Sequence, residues 1–331
     1  MSAPQIPTDV PPFHPRRGLR TGHLQTVASQ FLARGIGLPV PDERLITVAD
    51  GVQVLCQCHW QQDRAGALTV VIVHGLEGSS ESQYVVGTTA KALAVGMNVV
   101  RMNMRNCGRT DHLSPTLYHS GLSSDVGEVV RAIVGQEKLS RIALLGFSMG
   151  GNIVLKLAGE WGREAPPEAR AVAAVSPALD LAASAAALHL WRNRIYELFF
   201  LWNLKRRVRQ KARLFAGRYD LARLRRLHSL RDFDDRVTAF YCGFESAEDY
   251  YERASASRVI AGISLPALVV HALDDPFIRI TPEARQKLLA NACIRYVETE
   301  HGGHCGFLGP RGDEDDGRWA ERAVVEFFRR L

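Results

Sequence analysis

Short runs of apolar residues alternate along the chain with segments of helical spacing, and this alternation most constrains the fold. A continuous apolar run is typical of a strand buried on both faces. The segments between the runs are long enough for a helix to connect two parallel strands. The sequence therefore predicts an α/β fold with a mostly parallel sheet and helices on both faces. The predicted strands are 69–73, 98–102, 141–146, 172–175, 267–270 and 294–297.

The alternation stops at about residue 180 and resumes at 267. The intervening residues predict a helical insertion at about 180–262, which we call the cap. Its segment 188–215 mixes large apolar side chains with Lys and Arg. The apolar residues fall on more than one helix face, so we expect both core packing and lining of an acyl pocket. The basic side suits an anionic interface, and the alternative is that its arginines are simply solvated.

The chain before the parallel strands predicts an N-terminal arm and a hairpin. Residues 1–42 form the arm, and Pro and Arg predict an extended course over 1–22. Two strand-like segments at 43–48 and 52–60 flank Asp50-Gly51, a dipeptide typical of hairpin turns. We predict one domain over residues 1–331, comprising the arm, the sheet and the cap.

One motif lies between a predicted buried strand and a helix. Gly146-Phe147-Ser148-Met149-Gly150 is a G-x-S-x-G sequence. At such a junction, a tight turn lifts the serine hydroxyl above the sheet edge, and the flanking glycines remove Cβ atoms that would clash there. Ser148 is therefore the predicted nucleophile.

A serine nucleophile needs a base, and the base needs an acid that orients it. In this type of fold the chain order is Ser, acid, His. His304 follows two glycines in a loop before the last predicted helix, and we prefer it to His301. We prefer Asp275 as the acid because Pro, an apolar residue and Ile follow it. Asp274 is the alternative acid.

The tetrahedral intermediate of acyl transfer needs N–H donors for its oxyanion. The backbone N–H of Met149, which follows the nucleophile, is one candidate. The second should come from the loop after the first parallel strand, and Leu76 is the candidate there. Gly75 permits the close turn that this role requires.

Several segments together resemble one family, the α/β-hydrolase family 4, which includes bacterial YheT-type hydrolases and eukaryotic membrane-associated lipases. The resemblance spans roughly residues 15 to 310. One segment, Arg105-Asn106-Cys107-Gly108, departs from the family's usual sequence, which begins with Arg-Gly. The matching segments are 74–80, 146–152, 274–277 and 301–307, joined by His23-Leu24-Gln25-Thr26, Tyr118-His119-Ser120-Gly121, Phe233-Asp234-Asp235 and Asp249-Tyr250-Tyr251.

The resemblance implies an α/β-hydrolase fold and cofactor-free hydrolysis of short- to medium-chain acyl esters or acylglycerols. It also implies a triad of Ser148, His304 and an aspartate of the 274–275 pair. The transmembrane anchor of the eukaryotic members has no counterpart here, since no run of about 18 apolar residues occurs. A small-molecule ester is therefore the expected partner, with peripheral membrane contact as a further option.

Composition and charge bear on the expected partners, location and metal content of the protein. The net charge is +6, but the basic residues form no single tract and no nucleic-acid reader motif occurs, so we expect no nucleic-acid partner. Six scattered cysteines and an N-terminus without an apolar signal segment predict a cytoplasmic protein with reduced thiols. His301, His304 and Cys305 lack further ligands, so no metal is expected.

Two other function classes stay open at this stage. An acyltransferase would pass the acyl group of the same intermediate to an alcohol instead of water. A non-catalytic lipid-binding protein could keep the fold without the activity, although the presence of all three triad residue types argues against it. Thioesterases and peptidases use the same machinery.

Overall fold

The computed structural model describes residues 10–32, 34–312 and 315–331. Its strands form one sheet in the order β1-β2-β4-β3-β5-β6-β7-β8. Strand β2 pairs antiparallel with both β1 and β4, and all other neighbouring strands pair parallel. This arrangement confirms the predicted fold class. The strands are β1 (Asp42–Ala49), β2 (Val52–His59), β3 (Thr69–Val73), β4 (Asn98–Met102), β5 (Ile142–Phe147), β6 (Ala169–Val175), β7 (Ala267–Ala272) and β8 (Ile294–Thr299).

The central strands are apolar on both faces because helices cover both. Every residue of β3 is buried. Val71 packs into a core with residues of α3 and α4, whereas Ile72 packs into a second core with residues of α2 and α11. This alternation follows from the two-residue period of a strand. The helices are α1 (Gly22–Phe31), α2 (Gln83–Ala94), α3 (Ser123–Glu137), α4 (Met149–Trp161), α5 (Leu181–His189), α6 (Arg194–Leu214), α7 (Leu230–Phe233), α8 (Phe240–Cys242), α9 (Ala247–Ala254), α10 (Pro282–Ala290) and α11 (Trp319–Arg329).

The predicted hairpin forms between β1 and β2. Ala49 pairs with Val52, so Asp50 and Gly51 make the connection. Gly51 has a φ of 63°, a conformation that glycine adopts without the steric cost of a side chain.

The parallel arrangement brings the carboxyl ends of the strands to one edge of the sheet. Leu76 follows β3, Ser148 follows β5, Asp275 follows β7 and His304 follows β8. Open α/β sheets bind ligands at this edge. The predicted catalytic residues, far apart in the sequence, therefore lie on the same side of the molecule.

Between β6 and β7 the chain leaves the sheet and forms α5 to α9. A six-residue π-helical segment, Asp234–Ala239, interrupts the path from α7 to α8. The long helix of the cap begins at Arg194 rather than near residue 188. Before it, the buried Asn193 side chain donates to the carbonyls of Ala187 and Pro276, which holds a break between α5 and α6.

The expectation that the aromatic residues of 188–215 pack inward is only partly right. Phe200 lines a cavity beneath the cap. Trp191, Phe199 and Trp202 are 88%, 61% and 57% exposed, because no described element covers the outer face of α6. The expectation of a solvated or interfacial basic side is wrong for Lys211, whose buried ammonium donates to Asn106 Oδ1 and to the carbonyls of Asp111 and Ser114.

The N-terminal arm is not extended throughout. Its first nine residues lie outside the described part, residues 10–21 are irregular, and α1 begins at Gly22. The Thr21 side chain accepts from the Leu24 N–H and caps this helix. Sequence reasoning missed α1, although Leu24, Val27 and Phe31 stand at helical spacing. The stripe that they form is exposed, whereas the buried side of the helix carries the polar Gln25 and Thr26.

Candidate active site

Ser148 lies on a strained turn between β5 and α4. Its backbone has φ 54° and ψ −118°, which a non-glycine residue adopts only at a steric cost. A Cβ atom at Gly146 would lie 2.1 Å from the Gly150 carbonyl oxygen, and one at Gly150 would lie 2.3 Å from the Val73 carbonyl oxygen. Both glycines are therefore required for the turn to close against β3.

A continuous chain of hydrogen bonds runs from Ser148 to a buried carboxylate. His304 Nε2 lies 2.9 Å from Ser148 Oγ, and His304 Nδ1 lies 2.8 Å from Asp275 Oδ2. The other oxygen, Asp275 Oδ1, accepts from the N–H groups of Phe277 and Ile278 at 3.1 and 2.9 Å. The structure thus brings together the three residues that the sequence singled out.

Asp274 faces a different part of the same loop. Its Oδ1 accepts from the Gly303 N–H at 2.8 Å, and its Oδ2 lies 3.5 Å from His301 Nδ1. Asp274 therefore fastens the loop that carries His304 without contacting the His304 ring. The geometry favours Asp275 over Asp274 as the partner of His304.

The environment favours opposite charges on Asp275 and His304. Burial alone raises the pKa of the Asp275 carboxyl, but the adjacent His304 and the Ile278 N–H outweigh it, so the net pKa is lowered. Burial lowers the pKa of His304, whereas the Cys305 sulfur and the Asp275 carboxylate raise it, and the net shift is upward. Asp275 therefore stabilises an imidazolium that forms at His304.

The loop after β3 approaches the nucleophile closely. A Cβ atom at Gly75 would lie 3.1 Å from Ser148 Cβ. The Gly75 N–H donates to Tyr84 Oη and the Glu77 N–H donates to Tyr118 Oη, at 2.9 and 3.0 Å. Leu76 lies between these anchors, and no acceptor for its N–H is found among the described residues. Its N–H is thus available for a ligand atom.

A partly buried ion pair connects this loop to the cap. Glu77 accepts from Arg207 Nε and Nη2 at 2.8 and 3.1 Å and from Tyr118 Oη at 2.7 Å. Arg207 also donates to the Asn106 carbonyl. Asn106 has a φ of 67°, and asparagine tolerates this conformation better than most residues. Sequence reasoning did not predict this connection.

The N-terminal arm contacts the loop that carries His304. Thr26 Oγ1 accepts from the His304 N–H at 2.8 Å, and Gln25 forms hydrogen bonds with both the N–H and the carbonyl of Leu308. His23 Nδ1 lies 3.0 Å from Tyr196 Oη of α6. The His23-Leu24-Gln25-Thr26 segment thus joins the arm to this loop and to the cap.

A cavity of about 990 Å³, its opening included, extends from Ser148 beneath the cap. Most of its lining is apolar, and Leu76 and Met149 lie beside Ser148 in its wall. Within the described residues, no three His, Cys, Asp or Glu side chains gather into a group able to hold a metal. The apolar lining includes Leu117, Leu188, Phe200, Leu204, Val208, Leu230, Phe233 and Phe277.

The chain is similar in sequence to known hydrolases. Residues 69–309 match the model of the alpha/beta hydrolase fold family. The chain is 32% identical over 302 residues to "Putative esterase YheT" of Escherichia coli (strain K12), covering 90% of this chain and 87% of that one. It is 27% identical over 339 residues to "Monoacylglycerol lipase ABHD2" of Bos taurus, covering 93% and 77%.

Solved structures show the same fold at low sequence identity. The Pyrococcus furiosus esterase Pf2001 aligns with a TM-score of 0.56 at 16% identity, covering 90% of this chain and 98% of that one. Est1E from Butyrivibrio proteoclasticus, with ferulic acid bound, aligns with a TM-score of 0.53 at 16% identity, covering 86% and 97%.

Proposed function

Because the chain belongs to the α/β-hydrolase family, we propose that it is a serine hydrolase that cleaves carboxylic esters through an acyl-enzyme on Ser148. The expected substrates are short- to medium-chain acyl esters or acylglycerols. The observation that carries the proposal is the hydrogen-bonded chain Ser148–His304–Asp275 at the wall of an apolar cavity. Relatives named as an esterase and as a monoacylglycerol lipase support the same class.

In this mechanism His304 is the general base and Ser148 the nucleophile. The Nδ1–H of His304 donates to Asp275, so the lone pair of Nε2 faces the Ser148 hydroxyl. Nε2 takes the hydroxyl proton as Oγ attacks the ester carbonyl, and the imidazolium then protonates the leaving alcohol. A water molecule, deprotonated by the same nitrogen, attacks the acyl-enzyme and releases the acid.

The N–H groups of Leu76 and Met149 are the proposed donors to the oxyanion. Both residues lie in the cavity wall beside Ser148. The Met149 N–H is also at the start of α4, where the helix dipole favours negative charge. Donors held by a fixed loop and a helix terminus need no reorganisation as charge develops on the carbonyl oxygen.

The apolar part of the cavity would hold the acyl chain. Burying each methylene of the substrate contributes about 0.8 kcal/mol, which corresponds to roughly a fourfold change in an equilibrium or rate constant. We therefore expect kcat/KM to rise with acyl length and then to fall once the cavity is filled. An enclosed site also favours acyl transfer to alcohols, the alternative function, and added alcohol would then speed the release of the acyl group.

The outer face of α6 supports contact with a lipid surface. Residues at heptad spacing form one exposed stripe, which is apolar near its start and basic near its end. No helix in the described part of the chain is long and apolar enough to span a bilayer. We infer peripheral contact, with the apolar half at the acyl region and the arginines at anionic headgroups. The stripe consists of Ile195, Phe199, Trp202, Arg206, Arg209 and Arg213.

The state of the cysteines indicates the cellular compartment of the protein. All six cysteines are free, and three of them are buried. Unpaired thiols are typical of reducing compartments, so we propose a cytoplasmic protein.

Hydrolysis of a 4-nitrophenyl ester series from acetate to palmitate tests the proposed function. The wild type should show one preferred acyl length, and Ser148→Ala should lower kcat by several orders of magnitude, since triad members act as a unit. Ser140→Ala, at the opposite end of β5, is the matched control and should keep wild-type turnover. Activity unchanged in Ser148→Ala, or absent from the wild type with every ester, would overturn the proposal.

A further inference from the structure

Three sequence segments that the proposed mechanism does not use contribute residues to the wall of the cavity, where His119 contacts Tyr250 and Tyr251 contacts Asp234. His119, Asp234, Tyr250 and Tyr251 come from these segments, and Ser184 of α5 joins them in the cavity wall. We call these five residues the polar subsite. We propose that the polar subsite binds a hydroxyl group of the substrate, an inference that rests on the proposed ester hydrolase function and specifies its substrate.

Ser184 is the clearest sign that a ligand atom belongs there. Its hydroxyl is buried and has no hydrogen-bond partner in the described part of the chain. Helical hydroxyls elsewhere in the protein bond to the carbonyl four residues earlier, as Thr88 and Thr89 do at 2.7 Å. Leaving a buried hydroxyl unpaired is unfavourable, and a substrate hydroxyl would remove that cost.

Asp234 supplies an acceptor in the same wall. Its Oδ1 accepts from Thr238 Oγ1 and its Oδ2 from Tyr251 Oη, both at 2.8 Å. No Lys, Arg or His of the described residues forms an ion pair with it. Burial raises the pKa of this carboxyl to about 6. Each oxygen accepts one protein hydrogen bond, so lone pairs remain for a donor in the cavity.

His119 and Tyr250 supply donors. His119 Nδ1 accepts from the Gly121 N–H at 3.2 Å, so the ring proton resides on Nε2. Burial lowers the pKa of this histidine to about 3, which keeps the ring neutral. Tyr250 Oη accepts from the Ser120 N–H at 3.0 Å, which leaves its O–H free to donate.

These groups suit a hydroxyl better than an alkyl chain or a cation. A hydroxyl both donates and accepts, and the polar subsite offers acceptors at Asp234 and donors at His119 and Tyr250. A bare alkyl chain would leave these groups without partners. A cation could pair with the Asp234 carboxyl, but the donors of His119 and Tyr250 would point their hydrogens at it.

The polar subsite lies close to the nucleophile. Asn152, one helical turn beyond Ser148 on α4, donates to both the carbonyl and the hydroxyl of Ser120 at 3.0 Å. One turn of helix spans about 5.4 Å. A hydroxyl a few carbons from the ester could therefore reach the subsite, on either the acyl or the alcohol side.

The test compares kcat/KM for matched esters with and without a hydroxyl. The acyl arm uses 4-nitrophenyl hexanoate and its 6-hydroxyhexanoate, and the alcohol arm uses ethyl and 2-hydroxyethyl butyrate. We expect about a tenfold preference for the hydroxylated ester in one arm, which identifies the side that carries the hydroxyl. Ser184→Ala and Tyr250→Phe should remove that preference, measured as the ratio of kcat/KM for the two esters within each variant. Ser140→Ala should keep the preference.

A preference absent from both arms, or unchanged in Ser184→Ala and Tyr250→Phe, overturns the proposal. A 6-ammoniohexanoate ester preferred over the 6-hydroxy ester also overturns it, in favour of a cationic ligand. Calorimetric binding of 1,6-hexanediol and 1-hexanol to Ser148→Ala tests the subsite without catalysis. Tighter binding of the diol, lost when Ser184→Ala is added, supports the subsite even if no ester is hydrolysed, and equal binding of the two alcohols overturns it.

Discussion

Replacing Asp275 by Asn tests the proposed triad most directly, because the surrounding backbone fixes how the new amide must lie. The N–H groups of Phe277 and Ile278 both donate to Oδ1, so the amide oxygen of the Asp275→Asn variant would occupy that position. Its NH₂ would then face His304 Nδ1 at about the 2.8 Å of the native contact. An NH₂ group only donates, so Nδ1 must accept and the ring proton must move to Nε2.

With Nε2 protonated, His304 could not take the proton of Ser148. An equivalent exchange in serine proteases lowers kcat about 10⁴-fold, or about 5.5 kcal/mol in activation free energy, and we expect a loss of this size here. Stability should change little, since all three hydrogen bonds are kept. The measurement is kcat for 4-nitrophenyl butyrate, with urea unfolding of the same protein as the check on stability.

Asp274→Asn is the matched control for this experiment. Its Oδ1 accepts only from the Gly303 N–H, and an amide oxygen can do the same, so kcat should stay within about threefold of wild type. The assignment of the acid would be refuted if Asp274→Asn lost as much activity as Asp275→Asn. It would also fail if Asp275→Asn retained a tenth of the wild-type rate.

The remaining predictions concern pH, the cap, the arm and the exposed stripe of α6. In the proposed mechanism the neutral form of His304 is the base, and its pKa is raised, so kcat/KM should be low in acid and rise with pH through an apparent pKa above 6.5 in a pH–rate profile. Arg207→Met would leave the partly buried Glu77 carboxylate without its cation, and urea unfolding should show a loss of about 2 kcal/mol. Thr26→Val removes the acceptor of the His304 N–H and should lower kcat about tenfold in the ester assay. Phe199→Ser should weaken co-sedimentation with anionic vesicles about tenfold, since it removes an exposed apolar ring from the proposed contact.

Arg207→Met and Phe199→Ser each have a matched control. Arg206→Met removes the exposed arginine next to Arg207 and should leave the free energy of unfolding unchanged. Leu289→Ser removes an apolar side chain of α10 that is 57% exposed, and should not alter vesicle binding. Equal losses in a variant and its control would contradict the corresponding contact. A pH profile that falls from acid to neutral would contradict the role of a neutral His304.

The parts of the fold that the sequence predicts are those encoded by local pattern. The strand at Thr69–Val73 is a run of five apolar or β-branched residues, and the structure has the same bounds. The turn at Ser148 is marked just as locally by its two glycines, since Gly146 makes room for the Gly150 backbone and Gly150 for the Val73 carbonyl of β3. Chain order and loop glycines were enough to select His304. These features require no knowledge of which distant segments meet.

The features that the sequence did not predict depend on contacts between distant segments. Glu77 and Arg207 are 130 residues apart, and neither residue indicates the other. Thr26 and His304 are separated by 278 residues, and the buried side of α1 is polar rather than apolar. The choice between Asp274 and Asp275 likewise depends on which oxygen faces the ring. The neighbouring residues favoured Asp275, but only the three-dimensional arrangement gives the distances.

The long-range contacts have a common consequence for how the site is held. Ser148 is fixed by the core of the sheet, whereas the other elements of the site are held by peripheral segments. The arm binds the His304 loop through Thr26, and the cap binds the loop that carries Leu76 through the Arg207–Glu77 pair. His23 and Tyr196 join the arm to the cap. Because these segments contact one another as well as the loops, we expect a cap movement that admits substrate to act also on His304 and on the proposed oxyanion donors. In the proposed mechanism the arm therefore helps to position the catalytic groups.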